Sequence, residues 1–407
     1  MNNKRGSFTV YACVIATAMA ILIFALISSA RSMYVEGIVL ALGRLHSSAI
    51  LGEYDLELYD RYGLLAFYGN DAVTTKKIEI LSGYTFDEKP YIDYEVSDID
   101  LFSYSLADQN VLLDQIKLCG VEDLAVSVLG STSKYLGTSS ETETTSDRKI
   151  VSERVIRFLP SYGRIESGII DSITSVFKSV GSPKDLILTG TDAYLINKYI
   201  GAKFGDRRNI PDPAKSFLLY EREYIVSGKY SDEENLRAVK RKIIAMREIA
   251  NMLFLESDKK MRAEATAIGE ILTLGYAGEA GAQVVMATWA YLESLNDYEL
   301  LINGKKVEGI KDHLSWAIDK ESILNGWNGD YIDMHNPDGD TYSDYLDLMT
   351  YMTGQDTKLL RIMDLIQLNL RYYYRSDFLI SEHYTGLEYS LMVNDKEYTF
   401  SDSYGGR

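Results

Sequence analysis

The sequence predicts an α+β protein that is mostly helical, with one N-terminal transmembrane helix continuing into an extracellular domain with small antiparallel sheets. The first observation is that residues 8–30 contain no charged side chain. The second is that helical spacings dominate the proline-free stretch between Pro213 and Pro337. The third is that short apolar stretches flank turn-forming residue pairs, which indicates hairpins. Apolar residues make up 46% of the 407-residue chain, so it can build a sizeable core.

The N-terminal apolar segment, residues 8–30, is long enough to cross a membrane. At about 1.5 Å per residue it reaches roughly 35 Å, against about 30 Å for the hydrocarbon core of a bilayer. Lys4 and Arg5 precede the segment. The positive-inside rule therefore places the leader, residues 1–7, in the cytoplasm and the rest of the chain outside. The prediction is a single-pass protein of the cell membrane with an extracellular C-terminal domain.

A cleavable signal peptide is the alternative to an anchor. Ser28, Ser29 and Ala30 are small residues of the kind that precede a signal-peptidase site, so cleavage would follow Ala30. The apolar region of a signal peptide spans about 7–15 residues, however, and residues 8–30 exceed that length. The length favours the anchor.

Residues 31–52 predict a helical extension of the span. Apolar residues recur there mostly at spacings of three and four, as on one face of an amphipathic helix. They are Val35, Ile38, Val39, Leu42, Leu45 and Ala49. No proline interrupts residues 8–52, so one continuous helix is predicted to leave the membrane and enter the outer domain. Gly37 and Gly43 weaken that helix.

The leader carries a resemblance to a known family. Residues 4–10, Lys-Arg-Gly-Ser-Phe-Thr-Val, resemble the leader of pilin-like (TadE/TadG-like) proteins of tight-adherence pilus systems. The resemblance implies that a prepilin-type peptidase cuts between Gly6 and Ser7. Pilins that polymerise usually carry a glutamate shortly after the cut, in the position that Tyr11 holds here. Tyr11 therefore argues for a minor subunit or a static anchor rather than a major pilin.

Six further segments carry a broader resemblance: residues 52–56, 62–66, 220–225, 247–251, 289–293 and 361–369. Together they are similar to an uncharacterised family of Gram-positive bacterial proteins that is often linked to tight-adherence genes. The resemblance covers most of the chain. It implies association with pilus or envelope machinery rather than a particular reaction.

Ala12, Ala16 and Ala20 form a stripe of small residues on the span. Small residues four positions apart let another membrane helix approach closely, so the stripe predicts a helix-pairing face. The partner would be a pilus or envelope assembly protein, or a second copy of this chain. Alanine is common in any membrane helix, so a span without a partner is the alternative.

Composition divides the exposed part at residues 131–149. This Ser/Thr-rich run is too polar to bury apolar area, so it predicts a linker. Before it, residues 53–130 predict an α+β segment with a strand at 92–96 and a helix at 111–128. After it, residues 150–407 predict a helix-rich extracellular domain.

One helix of that domain is predicted to begin at Ser231, which forms a capping box with Glu234. Apolar residues along it keep spacings of three and four and predict one buried seam. They are Leu236, Val239, Ile243, Met246, Ala250 and Leu253. We expect this seam to pack against helices at 282–299 and 357–374.

Two residue pairs predict β-hairpins. Asn303–Gly304 is a type I′ turn signal between an apolar run and Val307. Asn394–Asp395 separates two alternating stretches near the C-terminus.

The sequence offers little evidence for catalysis or nucleic-acid binding. A formal net charge of −17 argues against binding to nucleic acid, which needs clustered cations. The chain has no complete P-loop, no H-E-x-x-H and no G-x-S-x-G sequence, and its four histidines lie far apart. We therefore predict no catalytic residue, no cofactor and no resident metal.

The densest set of oxygen ligands lies between Asp330 and Asp344. Calcium takes about six to eight oxygens, which a short acidic loop can supply. The order of residues departs from that of an EF-hand, because glycine follows Asp338 too early. A turn over Asn336–Gly339 explains the same residues and is favoured over calcium binding.

The leading hypothesis is a non-enzymatic, single-pass surface protein that serves as a minor pilin-like or assembly subunit of a tight-adherence-type pilus or envelope complex. An anchored or secreted extracellular hydrolase with an unrecognised active site is the alternative. An extracellular sensor is disfavoured, because the short leader leaves no cytoplasmic output domain.

Overall fold

The computed structural model describes residues 4–87, 89, 91–128, 151–164, 182–185, 191–210, 214–274, 278–325, 327, 329–334 and 336–405. The chain divides into two compact units. Unit 1 comprises Met1–Tyr59, Leu65–Asp108 and Ser381–Arg407, and unit 2 comprises Asp60–Leu64 and Gln109–Ile380. The predicted linker at 131–149 lies outside the described residues.

Helices dominate both units and the sheets are small and antiparallel, which confirms the predicted α+β class. The α-helices are α1 Lys4–Leu51, α2 Leu56–Tyr62, α3 Asp71–Phe86, α4 Gln109–Val128, α5 Glu153–Ile156, α6 Thr191–Lys203, α7 Glu221–Ser227, α8 Asp232–Ser257, α9 Lys259–Leu272, α10 Gly278–Ile302, α11 Lys320–Asn325, α12 Tyr342–Met352 and α13 Gln355–Tyr373. The strands are β1 Phe67–Tyr68, β2 Tyr94–Asp100, β3 His383–Tyr384, β4 Gly386–Val393 and β5 Lys396–Ser403.

Unit 1 is built on the C-terminal half of α1. The helix is continuous over Lys4–Leu51, as predicted. Its inner face packs into a core that it shares with α3, β4 and β5. The predicted face is partly wrong: Val35 and Val39 are buried, but Leu45 and Ala49 are exposed. His46 and Ser47, which lie between them in sequence, are buried instead: Ser47 donates to the Gly43 carbonyl, and His46 Nε2 contacts the Thr85 hydroxyl.

Gly43 lets the sheet approach α1 closely. A Cβ atom at this position would lie 2.2 Å from the ring of Phe400 in β5. The Tyr389 hydroxyl donates to the Gly43 carbonyl at 2.7 Å, and the Ser47 hydroxyl donates to the same carbonyl at 3.2 Å. A glycine that weakens an isolated helix is thus the contact point between this helix and the sheet.

The main sheet of unit 1 has the strand order β2-β4-β5, and β1 pairs with β3 in a second, two-stranded sheet. The predicted C-terminal hairpin is confirmed: Val393 pairs with Lys396 across Asn394 and Asp395, whose φ angles are 46° and 61°. The predicted strand near residue 94 is also confirmed, and it pairs with β4. This pairing places Ser381–Arg407 in unit 1, although the sequence groups these residues with the helix-rich segment 150–407.

Unit 2 is helical, and α8, α10 and α12 share one core. Ser231 accepts a hydrogen bond from the Glu234 amide, so the predicted helix start is confirmed. Most of the predicted seam is buried in this core, but Leu253 is 41% exposed. The prediction for the partners is half right. Helix α10 packs along α8 as expected, whereas α12 takes the place in this core that the sequence assigns to the 357–374 helix.

The predicted hairpin at Asn303–Gly304 is wrong. Residues 300–302 belong to α10, and Gly304 ends that helix with a φ of 76°. The Gly304 amide donates to the Leu301 carbonyl at 3.1 Å, and the Lys305 amide donates to the Leu300 carbonyl at 3.0 Å. A glycine with positive φ serves a helix C-cap as well as a type I′ turn, so the residue pair is compatible with both.

Candidate functional site

The N-terminal helix is the first feature with a functional consequence. Among the described residues, one helix is long and apolar enough to cross a membrane, and it covers Phe8–Leu51. Its most apolar stretch is entirely uncovered by the rest of the chain. Gly6 and Ser7, the predicted processing site, lie in the first turns of α1. Ala12, Ala16 and Ala20 are all exposed on the same helix.

Unit 2 contains a fully buried set of charged residues, here called the Arg247 cluster: Arg247, Glu293, Asp297 and Lys311, with Asn251. Arg247 Nε donates to Asp297 Oδ2 at 2.9 Å, and Asn251 Nδ2 donates to the same oxygen at 3.0 Å. Lys311 Nζ lies 2.6 Å from Asp297 Oδ1 and also pairs with Glu293. Two buried cations thus face two buried carboxylates.

Electrostatics in the Arg247 cluster follow from burial and pairing. Burial disfavours the charge on Asp297, yet the Arg247 and Lys311 cations hold the pKa of that carboxyl below its usual value. Burial raises the pKa of Glu293 against the opposing effect of Lys311. Buried charges of this kind persist only when they are paired and hydrogen-bonded.

The Arg247 cluster also holds a loop onto the helix pair α8 and α10. Arg247 Nη1 donates to the Gly309 carbonyl at 2.9 Å. The Glu293 carboxylate accepts from the amides of Ala317 at 3.0 Å and Ile318 at 2.8 Å. The Ile318 carbonyl in turn accepts from the indole of Trp289 at 2.7 Å. These bonds fix the backbone of a segment without regular structure, so the cluster has a structural role.

A second buried polar set surrounds α7. Glu221 accepts from Asn369 Nδ2 at 2.7 Å and from the Gly205 amide at 3.0 Å. Asn369 also donates to the Tyr62 hydroxyl at 2.9 Å. Asp364 accepts from the Tyr224 hydroxyl at 2.7 Å. These bonds tie α7 to α13 through polar side chains in the interior.

Four of the segments compared in the sequence analysis fall in the two buried sets. Residues 220–225, 247–251, 289–293 and 361–369 contribute most of the buried polar side chains described above. Sequence reasoning did not identify these residues as a group. Their partners are far apart along the chain, and no local pattern indicates that polar side chains meet in an interior.

An open cleft of about 870 Å³ lies in unit 2 between α6 and α12. At its base, Arg222 bridges two carboxylates: Nη1 lies 2.8 Å from Asp206 Oδ2, and Nη2 lies 2.6 Å from Asp347 Oδ1. The Ser343 hydroxyl donates to Asp206 at 3.0 Å. Lys198 and further polar residues form the rim.

The carboxylates of the cleft are engaged in contacts within unit 2. Asp206 pairs with Arg222 and accepts from the amides of Arg208 and Asn209 at 2.7 and 2.9 Å, so both of its oxygens are engaged in fixed contacts. Neither histidine nor cysteine occurs among the described residues of its lining. Behind it, burial and then the Asp206 charge raise the pKa of Glu223 to about 7. Among the described residues of this cleft, the carboxylate that Ser343 contacts is already paired with Arg222.

The acidic loop Asp330–Asp344 does not gather its carboxylates. Asp333 pairs with Lys305 at 3.0 Å, while Asp340 accepts from the Ser182 hydroxyl at 2.6 Å. Asp344 caps α12 in a capping box with Thr341. Asn336 Oδ1 accepts from the Asp338 amide at 2.9 Å, which forms the turn that the sequence favours. Within the described ranges, no group of three or more His, Cys, Asp or Glu side chains could hold a metal ion.

Comparison with known proteins gives a family without an assigned activity. A family model described as a family of unknown function (DUF5702) matches residues 129–395, more than half of the chain. No curated protein matches the sequence, and no solved structure matches it. The chain therefore belongs to the DUF5702 family.

Proposed function

We propose that this member of the DUF5702 family is a single-pass membrane protein that acts as a minor pilin-like or assembly subunit of a tight-adherence-type pilus or envelope complex. Residues 8–30 form its membrane anchor, the leader is cytoplasmic, and residues 31–407 are extracellular. The single observation that carries this proposal is the division of α1. One half of the helix is apolar and uncovered, and the other half is built into unit 1.

The packing of α1 supports a rigid anchor rather than a flexible tether. The helix runs unbroken from Lys4 to Leu51, so it passes from the apolar segment into the core of unit 1 without a hinge. Gly43 brings the β4–β5 hairpin against it, and the resulting core includes Val39, Ile50 and Phe400. The first half of α1 is the apolar segment, and the second half packs against the sheet of unit 1. The resemblance of the leader to those of pilin-like proteins implies the same arrangement, a long helix that is half in the membrane and half covered by a globular domain.

Charge supports the orientation. Lys4 and Arg5 stand before the span, and cations on the short side of a span favour the cytoplasm. Arg31, directly after the span, is engaged by unit 1: its Nη2 donates to the Tyr91 carbonyl at 3.0 Å. Arg31 therefore lies on the side of the membrane where unit 1 folds.

The uncovered side of α1 supports a role in assembly. Ala12, Ala30 and Ser48 are 18 residues apart, about five turns of 3.6 residues, so they share one side of the helix. All three are exposed, and this side is opposite the one that unit 1 covers. Small residues on an uncovered side allow close approach of a second helix in the membrane and beyond it. A second copy of this chain or an envelope assembly protein would supply that helix.

The role proposed is not enzymatic and needs no cofactor. In the unit 2 cleft, Asp206 is tied to Arg222, and the Ser343 hydroxyl contacts that engaged carboxylate. Tyr11 in place of a glutamate makes a filament shaft unfavourable, because no carboxylate is available to pair with the amino terminus of a neighbouring subunit. The proposed partners are therefore the membrane and pilus or envelope proteins, and not nucleic acid.

Photo-cross-linking in the native membrane tests the assembly role. We expect a photoreactive residue at Ala12 or Ala16 to form adducts with pilus or envelope assembly proteins, or with a second copy of the chain, identified by mass spectrometry. The matched control is Ile21, which lies nine residues, about two and a half turns, from Ala12 and so on the opposite side of the span. Equal yields at both sides, or adducts with lipid alone, would contradict the proposal.

A further inference from the structure

Strand β5 runs alongside α1 from one end of the helical extension to the other. Near the span, Lys396 Nζ lies 2.9 Å from Glu36 Oε1. Farther along, Phe400 reaches Gly43, and the Tyr404 hydroxyl donates to the Leu51 carbonyl at the far end. The residue numbers rise together, so the turn that precedes β5 is at the end of unit 1 nearest the span.

The rise of the helix gives the distance of the β4–β5 turn from the end of the membrane span. Glu36 follows Ala30, the last residue of the span, by six residues, or about 9 Å at 1.5 Å per residue. The hydrocarbon core is about 30 Å thick within a bilayer of about 40–45 Å, which leaves roughly 5–8 Å of headgroup layer on each side. Asn394 and Asp395 precede Lys396 on the side toward the membrane. The turn therefore falls at the height of the headgroups.

The segment that contains Tyr91 and Asp93 lies at the same distance from the span, as a separate set of contacts shows. Arg31 is the first residue after the span, and its guanidinium lies 4.7 Å from the centre of the Tyr91 ring. Asp93 connects that segment to the β4–β5 turn, because the Asn394 amide donates to the Asp93 carbonyl at 3.0 Å. The Asp93 amide donates back to Asn394 Oδ1, also at 3.0 Å.

We propose that this tip surface, formed by Arg31, Tyr91, Asp93 and the turn residues 394–396, lies in the headgroup layer of the outer leaflet and contacts lipid headgroups. The inference rests on the proposed function, because it requires α1 to span the membrane. Arginine, lysine and tyrosine are the side chains that favour this layer, since each combines an apolar body with a polar end. Residues 394–396 are exposed and available for that contact.

The tip surface carries charges of both signs. Lys396 is paired with Glu36, and Asp93 and Asp395 lie on either side of Asn394. Attraction to anionic lipid therefore contributes little, and the position of the tip follows from the anchor that holds it. We expect the contact to be the same in phosphatidylcholine bilayers with and without phosphatidylglycerol.

Fluorescence quenching in nanodiscs tests the inference on the full-length chain. Single cysteines at Asp395, Glu397 and Ser401 carry the fluorophore, with Cys13 and Cys119 replaced by alanine, and the quencher is a nitroxide on a phosphatidylcholine headgroup. From Asp395 to Ser401, the distance from the membrane increases by about 3.3 Å per residue along the strand. We expect quenching at 395 to exceed that at 401 severalfold, with 397 between them.

Equally weak quenching at 395, 397 and 401 would overturn the inference. Glu397 keeps the test valid if the backbone at Asp395, with its positive φ, does not accept cysteine. A label on the native Cys13, with only Cys119 replaced, reports on the anchor through a nitroxide deep in the acyl chains. Quenching of the label at Cys13 without quenching at 395 would reject the contact between the tip surface and the headgroups but leave the membrane anchor supported. Absence of quenching at Cys13 rejects the anchor, and with it this inference.

Discussion

Replacement of Asp297 by alanine is expected to lower the free energy of unfolding of unit 2 by about 3–5 kcal/mol, the usual cost of removing one partner from a buried ion pair. Asp297 accepts from Arg247 at 2.9 Å and lies 2.6 Å from Lys311, and all three side chains are buried. Without Asp297, Arg247 loses its carboxylate partner and Glu293 is the one carboxylate left in the cluster, paired with Lys311.

The same helix provides a matched control. Glu299, also in α10, pairs with Lys240 at 3.6 Å, but both side chains are about one third or more exposed. Glu299→Ala should therefore change stability by about 0–1 kcal/mol, as for other surface pairs. Urea unfolding of the full-length protein in detergent, followed by tryptophan fluorescence, measures both variants, because all three tryptophans lie in unit 2. Equal midpoints for the two variants would refute the structural role of the Arg247 cluster.

Gly43→Ala is expected to destabilise unit 1 by about 1–3 kcal/mol, the usual cost of overpacking a core. The new Cβ atom would lie 2.2 Å from the Phe400 ring, which is itself buried. Either the ring or the whole β4–β5 hairpin must move. Such a movement would also strain the hydrogen bond from Tyr389 to the Gly43 carbonyl.

Gly37→Ala makes the identical chemical change in the same helix with the opposite expected result. Nothing lies within 4 Å of a Cβ atom at Gly37. Alanine there should stabilise the helix by about 0.5–1 kcal/mol, because it removes the conformational entropy of glycine. Hydrogen exchange of residues 386–403 in the full-length protein measures both variants. Slower or unchanged exchange in Gly43→Ala would show that the sheet does not depend on this close approach.

The elements that sequence could predict are those set by local patterns. An uncharged segment followed by a proline-free stretch predicts α1, and alternating residues around Asn394–Asp395 predict the C-terminal hairpin. The same reasoning failed at Asn303–Gly304, because positive φ at glycine serves a helix end and a hairpin turn equally. Local pattern alone does not distinguish these two uses.

The face of α1 shows a second limit. Apolar spacing selected Leu45 and Ala49, whereas the structure buries His46 and Ser47. Ser47 is satisfied by the Gly43 carbonyl, and His46 Nε2 lies 3.4 Å from the Thr85 hydroxyl. Burial of polar residues depends on partners distant in sequence, which periodicity does not represent. Periodicity does not indicate the Arg247 cluster for the same reason, because Arg247, Glu293 and Lys311 are far apart along the chain.

Mass spectrometry of the mature N-terminus, on protein taken from the membrane fraction of the native cell, tests the central claim most directly. We expect a chain that retains residues 8–30 and begins either at Ser7, after a prepilin-type cut, or at Met1. A start at Ser7 would also support the pilin-like assignment. A mature chain that begins at Arg31 would contradict the account, because it would have lost the membrane-spanning half of α1.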